Sequence, residues 1–130
     1  MASTMTDFTR EREAMVERQL KRRGITEPAI LDAFLAVPRE EFVAEQHAHL
    51  AYGDHPLPIE AEQTISQPYI VALMIQAAAV GPDDVVLEIG AGSGYAAAVI
   101  SRIRARAFTR PVVPSAAQAM RAHRREADLT

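Results

Sequence analysis

Three glycines spaced two apart follow a short apolar segment, and this motif constrains the fold more than any other feature of the chain. Val85–Ile89 is rich in β-branched residues and predicts a buried strand. Gly90, Gly92 and Gly94 predict a tight turn, because glycine adopts backbone angles that other residues avoid and lets a ligand approach closely. Residues 95–103 then predict a helix with one apolar face. This order predicts a nucleotide-type pocket at the carboxyl end of a sheet strand.

The spacing of the glycines indicates the kind of ligand. A dinucleotide fingerprint has its third glycine one residue later, and a phosphate-binding P-loop needs a lysine that this segment lacks. The form E-x-G-x-G-x-G-Y resembles the first motif of S-adenosylmethionine-dependent methyltransferases. An ordinary strand-to-helix turn is the alternative, but the apolar strand and the flanking Glu88 and Tyr95 favour a cofactor site. The resemblance implies S-adenosyl-L-methionine as cofactor and, as its binding residues, Glu88, Gly90, Ala91, Gly92, Gly94 and Tyr95.

A second motif upstream indicates one family. The chain reads P-L-P-I over residues 56–59 and T-I-S-Q-P over residues 64–68. These segments, followed by the glycine motif, are similar to the protein-L-isoaspartate O-methyltransferase family, and the resemblance runs from about Met15 to Ile103. It implies methylation of the carboxylate of L-isoaspartyl residues, a repair reaction whose partners are isoaspartyl-containing proteins and peptides. A related peptide methyltransferase that acts on aspartate is a second possibility.

The resemblance also implies roles for the second motif. Its substrate-binding residues would be Thr64, Ile65, Ser66, Gln67 and Pro68, with Ser66 as the catalytic residue that contacts the substrate carboxylate. A serine before a proline is, by itself, more often a helix cap. The two roles are compatible, because the free N–H groups of a helix N-terminus favour an anion. Since a carboxylate is already ionised near neutral pH, we expect Ser66 to orient the substrate rather than attack it.

Length and composition limit the fold and the partners. The chain has 130 residues, 48% of them hydrophobic, whereas a complete doubly wound methyltransferase needs roughly 200. We expect an α/β fold: the N-terminal part of a Rossmann-like class I methyltransferase, with preceding helices and an incomplete sheet. The net charge of −3 argues against nucleic-acid binding, and no apolar run is long enough to span a membrane. Without cysteines or a signal-peptide pattern, the chain is predicted to be cytoplasmic, and we expect a monomer.

A metal site is conceivable at three histidines but is not expected. His47, His49 and His55 lie close together in the sequence. No carboxylate or thiol with suitable spacing completes a ligand set. We therefore predict no bound metal.

Apolar periodicity and turn residues predict the remaining elements. Residues 1–8 are expected to be disordered, a helix to run from Thr9 to Gly24, and a second helix to be capped by Thr26. Residues 50–66 are predicted to form a loop, interrupted as they are by prolines and Gly53. Ser66 would cap a helix over 67–80, whose buried face would contain Ile70, Leu73, Met74 and Ala77.

The end of the chain differs from the rest in charge and pattern. Residues 1–103 contain eight basic and 15 acidic residues, whereas residues 104–130 contain six arginines and two acids. The second strand of this methyltransferase class normally ends in an acid that binds the cofactor ribose, yet no Asp or Glu lies between Glu88 and Glu126. We divide the chain into a disordered start (1–8), a partial methyltransferase domain (9–103) and an atypical basic tail (104–130). The hypothesis is truncation or a frame shift after about Ile103, and the alternative function is an inactive fragment or a binding module.

Overall fold

The computed structural model describes residues 5–59, 63–89, 92–103 and 106–110. The expected disorder of residues 1–4, and the predicted tail apart from residues 106–110, lie outside this description. The helices are α1 (Met5–Met15), α2 (Pro28–Ala36), α3 (Pro68–Ala77) and α4 (Tyr95–Arg102). The strands are β1 (Leu57–Pro58), β2 (Thr64–Ile65), β3 (Val85–Ile89) and β4 (Arg106–Arg110). Shorter helical turns span Val16–Leu20, Lys21–Arg23, Arg39–Phe42 and Glu45–Leu50.

The first helix begins at Met5, four residues before the predicted start, so the expectation of disorder is wrong for residues 5–8. Phe8 packs against the core, and the burial of this ring favours the additional turn. The helical segment ends as predicted at Gly24, whose φ of +96° lies in the left-handed region. Met15, Val16 and Leu20 form the buried apolar face of this segment.

The second helix begins at Pro28, and its N-cap is Glu27 rather than the predicted Thr26. Thr26 makes a different contact: its backbone N–H donates to Gln76 Oε1 at 3.1 Å. Gln76 Nε2 in turn donates to the Gly24 carbonyl at 3.0 Å. One side-chain amide on α3 therefore satisfies two backbone groups of the α1–α2 connection.

A small antiparallel hairpin lies within the segment predicted to be a loop. Leu57 pairs with Ile65, and Pro58 pairs with Thr64. The Ile59 N–H donates to the Gln63 carbonyl at 2.9 Å beyond the last pair. The two-residue strands are too short to show an alternating pattern in the sequence, and Pro58 argues against a strand, which is why the prediction was wrong here.

The third helix buries the opposite face from the one predicted. Its buried residues are Pro68, Val71, Ala72 and Ile75, which face α2 and the Val16–Leu20 turn. The predicted face is exposed, with 40% of Ile70 and 67% of Met74 accessible to solvent. Both faces of α3 are apolar, so periodicity could not select between them. Apolar residues on both faces are typical of a helix that packs between two layers of a protein.

The larger sheet consists of β3 and β4, which are parallel over five residue pairs from Val85–Arg106 to Ile89–Arg110. Helix α4 connects them and packs against both β4 and α2. Strand β3 was predicted to be buried, but Val85 and Leu87 are 66% and 65% exposed. The described sheet has only these two strands, so one face of β3 is uncovered. The expectation of an incomplete sheet holds for the described residues.

The core joins the N-terminal helices to α4. Among its fully buried members are Leu20, Phe34, Val37 and Val99. Within the described ranges, no helix is long and apolar enough to cross a membrane.

A matched pair of substitutions tests this distribution of burial. Val99 on α4 is 0% exposed and Val85 on β3 is 66% exposed. Val99→Thr should lower the free energy of unfolding by about 1–3 kcal/mol, because it places a hydroxyl in the core. Val85→Thr should change it by less than about 0.5 kcal/mol. Urea unfolding of both variants measures the difference, and equal losses would contradict the described burial.

Candidate functional site

The glycine motif forms the turn between β3 and α4. Gly92 and Gly94 have φ values of +56° and +84°, both left-handed, and Gly94 is the N-cap of α4. A residue with a side chain is strained in this region, so the predicted glycine turn is confirmed at these two positions. Gly90 and Ala91 lie outside the described residues, and their cofactor contacts stay predictions.

Gly92 also allows the hairpin to approach the turn. A Cβ placed on Gly92 would lie 3.0 Å from Ile59 Cδ1 and 3.4 Å from Gln63 Oε1. The closer of these distances is shorter than an ordinary carbon–carbon contact. The sequence indicated that glycine permits close approach of a ligand. In this structure the neighbour beside Gly92 is the segment between β1 and β2.

Gln63 is a candidate site residue that the sequence analysis missed. Its side-chain Oε1 is buried and has no hydrogen-bond partner among the described residues. A buried acceptor without a donor is costly, which favours a ligand donor at this position. The signal in the sequence was its place immediately before Thr64, but an isolated glutamine is normally read as a surface residue.

Ser66 is exposed and does not cap α3. The helix begins at Pro68 with Gln67 as its N-cap, and no side-chain cap is formed, so the predicted capping role is wrong. Pro68 at the first helical position has no N–H group that needs a cap. The backbone of Ser66 is held instead by Arg39, whose Nη2 donates to the Ser66 carbonyl at 2.9 Å.

The two sequence motifs meet in one cleft of about 410 Å³. Five predicted site residues line it, together with Ser93, which the sequence analysis did not select. The five are Thr64, Ile65, Ser66, Glu88 and Tyr95. Its remaining wall is apolar and comes mainly from α3, β3 and α4, including Ile70, Met74, Val86 and Ile100. The cleft therefore combines a few polar groups with an apolar surface, as small-molecule sites usually do.

Tyr95 lines the cleft but is 1% exposed. Its ring makes edge-to-face contacts with Phe34 and Phe42, at centroid distances of 6.1 and 5.6 Å. Burial raises the pKa of its hydroxyl to about 12. The Arg39 guanidinium, 4.8 Å from the ring centroid, opposes that increase. Tyr95 is thus neutral near pH 7 and fixes the start of α4 in the core.

Gln67, a predicted substrate-binding residue, contacts Asp54 instead of lining the cleft. Its Nε2 donates to Asp54 Oδ1 at 2.6 Å. Arg23 also donates to both oxygens of this carboxylate, with Nη1 2.9 Å from Oδ1. The Arg23 guanidinium lies 5.3 Å from the ring centroid of Tyr69 on α3. These contacts connect the start of α3 to the end of the first helical segment.

The carboxyl ends of β3 and β4 lie side by side next to the glycine turn. Glu88 is opposite Thr109, and Ile89 is opposite Arg110. In the resembling class, the acid that binds the ribose is expected at the end of this second strand. The sequence has no acid between Glu88 and Glu126, so no acid lies on β4 or directly after it.

Within the part of the chain that the structure describes, no group of three or more His, Cys, Asp or Glu side chains could hold a metal ion.

The fold and site together define a class of protein. Two parallel strands connected by a helix, with a left-handed glycine turn at the end of the first, form part of a Rossmann-like sheet. Comparison with known proteins then gives the family. The chain belongs to the protein-L-isoaspartate(D-aspartate) O-methyltransferase family, whose model matches residues 10–126. The match extends beyond Ile103, the residue at which the resemblance in the sequence motifs ends.

Curated relatives carry the same name but are longer. The chain is 60% identical over 102 residues to the protein-L-isoaspartate O-methyltransferase of Methylorubrum extorquens (strain PA1), covering 78% of this chain and 45% of that protein. It is 50% identical over 105 residues to that of Koribacter versatilis (strain Ellin345), covering 81% and 47%. The chain therefore spans about half the length of the curated relatives it matches.

Solved structures confirm the predicted fold class. A protein-L-isoaspartate O-methyltransferase structure superposes with a TM-score of 0.83 at 29% identity, covering 92% of this chain and 39% of that one. The structure of a Plasmodium falciparum protein in complex with S-adenosyl-L-homocysteine gives a TM-score of 0.76 at 22% identity, covering 91% and 56%. Both match nearly all of this chain to part of a larger Rossmann-like protein.

The contact between Gly92 and the hairpin is testable by a double-mutant cycle. Gly92→Ala should destabilise the chain by about 1–2 kcal/mol through its left-handed φ, and further through the contact with Ile59 Cδ1. Ile59→Val removes that atom, so the double variant should lose less stability than the sum of the single losses. Gly24→Ala is the control, because nothing lies within 4 Å of a Cβ there. Additive losses at Gly92 would contradict the contact.

The Asp54 contacts predict a pH dependence. The hydrogen bonds from Arg23 hold the pKa of the Asp54 carboxyl below its ordinary value, and the hydrogen bond from Gln67 makes a smaller contribution in the same direction. The lowered pKa means that this carboxylate stabilises the fold above the unfolded-state pKa of about 3.9, and that the contribution is lost as the pH falls through the folded-state value. Carbon NMR titration should give an Asp54 pKa below the ordinary value of an aspartate, and Arg23→Gln should raise the Asp54 pKa. An unchanged Asp54 pKa in Arg23→Gln would contradict the ion pair.

Proposed function

We propose that this chain carries the substrate-orienting and cofactor-binding elements of a protein-L-isoaspartate O-methyltransferase. The observation that carries the proposal is the shared cleft, which Thr64, Ile65 and Ser66 line together with Glu88 and Tyr95. The substrate motif and the cofactor motif are 20 or more residues apart in the sequence but adjacent in space. Membership of the family supports the proposed reaction class, methylation of an isoaspartyl carboxylate.

The residues beside the glycine turn fit S-adenosyl-L-methionine in part. Gln63 Oε1, next to Gly92, is buried and has no donor among the described residues, and the cofactor carries hydroxyl and ammonium donors. Glu88, at the carboxyl end of β3, adds a carboxylate beside the left-handed turn at Gly92 and Gly94. When bound, S-adenosyl-L-methionine would supply a methyl group on a positively charged sulfur, which becomes neutral as the substrate carboxylate takes the methyl.

Ser66 would orient the substrate. Its hydroxyl is exposed in the cleft and can donate a hydrogen bond to one carboxylate oxygen. The other oxygen then remains available for the methyl group. The substrate carboxylate is ionised near neutral pH, so no general base is required. Ser66 therefore acts by positioning, and Thr64 and Ile65 form the wall on which the substrate lies.

The apolar wall of the cleft would favour transfer by excluding water. Ile70 and Met74 from α3 and Val86 from β3 contribute to this wall. A carboxylate that loses part of its hydration is a stronger nucleophile towards a cationic methyl donor. These side chains are partly exposed in this chain, so water exclusion would be incomplete here.

The missing ribose acid favours a second candidate function, a binding module with little or no activity. Loss of a pair of hydrogen bonds to a carboxylate would weaken cofactor binding by a few kcal/mol. The exposed Val85 and Leu87 show that β3 lacks cover on one face. Action on aspartyl rather than isoaspartyl peptides is a third possibility. The cytoplasmic location, the monomeric state and the lack of nucleic-acid and membrane partners stay predictions.

Calorimetric titration separates these candidates. The full chain is titrated with S-adenosyl-L-homocysteine and, separately, with a matched pair of isoaspartyl and aspartyl peptides. The methyltransferase proposal predicts micromolar binding of S-adenosyl-L-homocysteine and a preference for the isoaspartyl peptide. Ser66→Ala should weaken binding of that peptide about tenfold or more, because a hydrogen bond to a charged group is lost. The affinity of the Ser66→Ala variant for S-adenosyl-L-homocysteine should not change.

Ser101→Ala is the matched control. Ser101 donates to the Ala97 carbonyl at 2.9 Å on α4 and does not line the cleft. This variant should bind both ligands as the unsubstituted chain does. Incubation of the chain with S-adenosyl-L-methionine and each peptide then measures methyl transfer. Binding of S-adenosyl-L-homocysteine without methyl transfer to either peptide would favour the binding module. If the chain binds neither S-adenosyl-L-homocysteine nor the peptides, the proposal is contradicted.

A further inference from the structure

Arg39 is a fully buried charged residue that neither the sequence motifs nor the proposed mechanism uses. It begins the helical turn Arg39–Phe42 and is 0% exposed. Moving a charged group out of water costs several kcal/mol unless it is paired or hydrogen-bonded. The contacts of its guanidinium therefore indicate what this residue does.

The guanidinium donates to two backbone carbonyls from different parts of the chain. Its Nε donates to the Ala51 carbonyl at 2.6 Å, and its Nη2 donates to the Ser66 carbonyl at 2.9 Å. The Arg39 backbone N–H donates to Tyr52 Oη at 3.0 Å, which fixes the position of the main chain. Because the guanidinium is planar, the two side-chain bonds set the direction of Ser66 relative to the core.

The same guanidinium also contacts Tyr95, the cleft residue that follows the glycine turn. It lies 4.8 Å from the ring centroid of Tyr95, the first residue of α4, which follows Gly94 directly. The Tyr95 ring is held by Phe34 and Phe42. Arg39 thus contacts both walls of the cleft: the backbone of Ser66 on one side and the start of α4 on the other.

A contribution to the stability of the fold is a weak explanation for the buried charge of Arg39. Arg39 Nη1 is buried and has no carbonyl or carboxylate partner among the described residues. Burial lowers the pKa of the guanidinium, and the nearby Tyr95 hydroxyl opposes that decrease. Apolar groups of similar volume are often as stable as a buried ionic group, so a requirement for geometry explains the arginine better.

We propose that Arg39 is a positioning residue that fixes the separation between Ser66 and the glycine turn and so directs the Ser66 hydroxyl into the cleft. The role of the hydroxyl rests on the proposed function. The geometric part of the proposal concerns the backbone of Ser66 and Gln67 and can be measured without any ligand.

Amide hydrogen exchange tests the geometric part. The N–H groups of Ile70 and Val71 donate to the Gln67 carbonyl, next to the bond held by Arg39. The Leu31 N–H donates to the Glu27 carbonyl on α2 and serves as an internal reference, because neither residue is among the contacts of Arg39 described above. In Arg39→Lys, where one ammonium cannot reproduce the two directed bonds, exchange at Ile70 and Val71 should accelerate about tenfold relative to Leu31. Arg39→Met, which keeps the volume but no donor, should show at least the same effect.

Arg12→Lys is the matched control. Arg12 is a partly buried arginine that donates to Tyr52 Oη at 2.7 Å and does not contact Ser66. Its substitution should lower stability without a selective change at Ile70 and Val71. Equal acceleration at all three amides in Arg39→Lys, or the same selective change in Arg12→Lys, would overturn the proposal.

A double-mutant cycle on peptide binding tests the functional part. Arg39→Lys should weaken binding of the isoaspartyl peptide about tenfold while leaving the affinity for S-adenosyl-L-homocysteine within about twofold. If Arg39 acts through Ser66, then adding Arg39→Lys to Ser66→Ala should cause little further loss. Additive losses of peptide affinity in the double variant would overturn the functional part. An equal loss of affinity for the peptide and for S-adenosyl-L-homocysteine in Arg39→Lys would also overturn it.

Because amide exchange and peptide binding are measured separately, failure of the Arg39 proposal can be distinguished from failure of the proposed function. If the unsubstituted chain binds no peptide, the proposed function fails and with it the role of the hydroxyl. The selective exchange at Ile70 and Val71 still decides whether Arg39 fixes the Ser66 backbone. If the peptide binds and Ser66→Ala weakens its binding, then an unchanged peptide affinity in Arg39→Lys overturns the positioning role alone.

Discussion

The burial of Tyr95 is the interaction on which the arrangement of this structure depends. Tyr95 begins α4 immediately after the glycine turn, and its ring lies against Phe34 of α2 and Phe42 of the following turn. This contact joins the helices from the first half of the chain to the strand–turn–helix unit. Without it, α4 would lose an aromatic contact with the core, and the glycine motif would lose one of its connections to the first half of the chain. The Arg39 guanidinium beside the same ring extends this connection to the Ser66 segment.

The elements that could be predicted from the sequence are those with one clear local signal. The glycine turn at Gly92 and Gly94 follows from the conformations that only glycine adopts without strain. The strand before it and the helix after it follow from β-branched residues and from an apolar face with a 3.6-residue period. The buried face of α3 could not be obtained in this way, since both faces are apolar and only tertiary contacts select one.

The candidate site shows the same division. Ser66, Glu88 and Tyr95 were selected because they belong to motifs, and they line one cleft. Gln63 and Arg39 were not selected, because a glutamine or an arginine is a surface residue in most sequences. Their importance arises from burial, which depends on distant parts of the chain: the turn at Gly92 for Gln63, and Ala51 and Tyr95 for Arg39. Sequence motifs therefore located the cleft, and three-dimensional packing identified the residues that support it.

The contacts of Asp54 have a chemical consequence for the ageing of this chain. Isoaspartate arises when the backbone nitrogen of the next residue attacks the side-chain carbonyl carbon of an asparagine or aspartate to form a succinimide. The chain contains no asparagine, so only its aspartates could react in this way. Asp54 is kept ionised and is held by Arg23 and Gln67, and an ionised carboxylate is a poor electrophile. The hydrogen bonds that fix the start of α3 thereby also disfavour the formation, at Asp54, of the isoaspartate that appears in the name of its family.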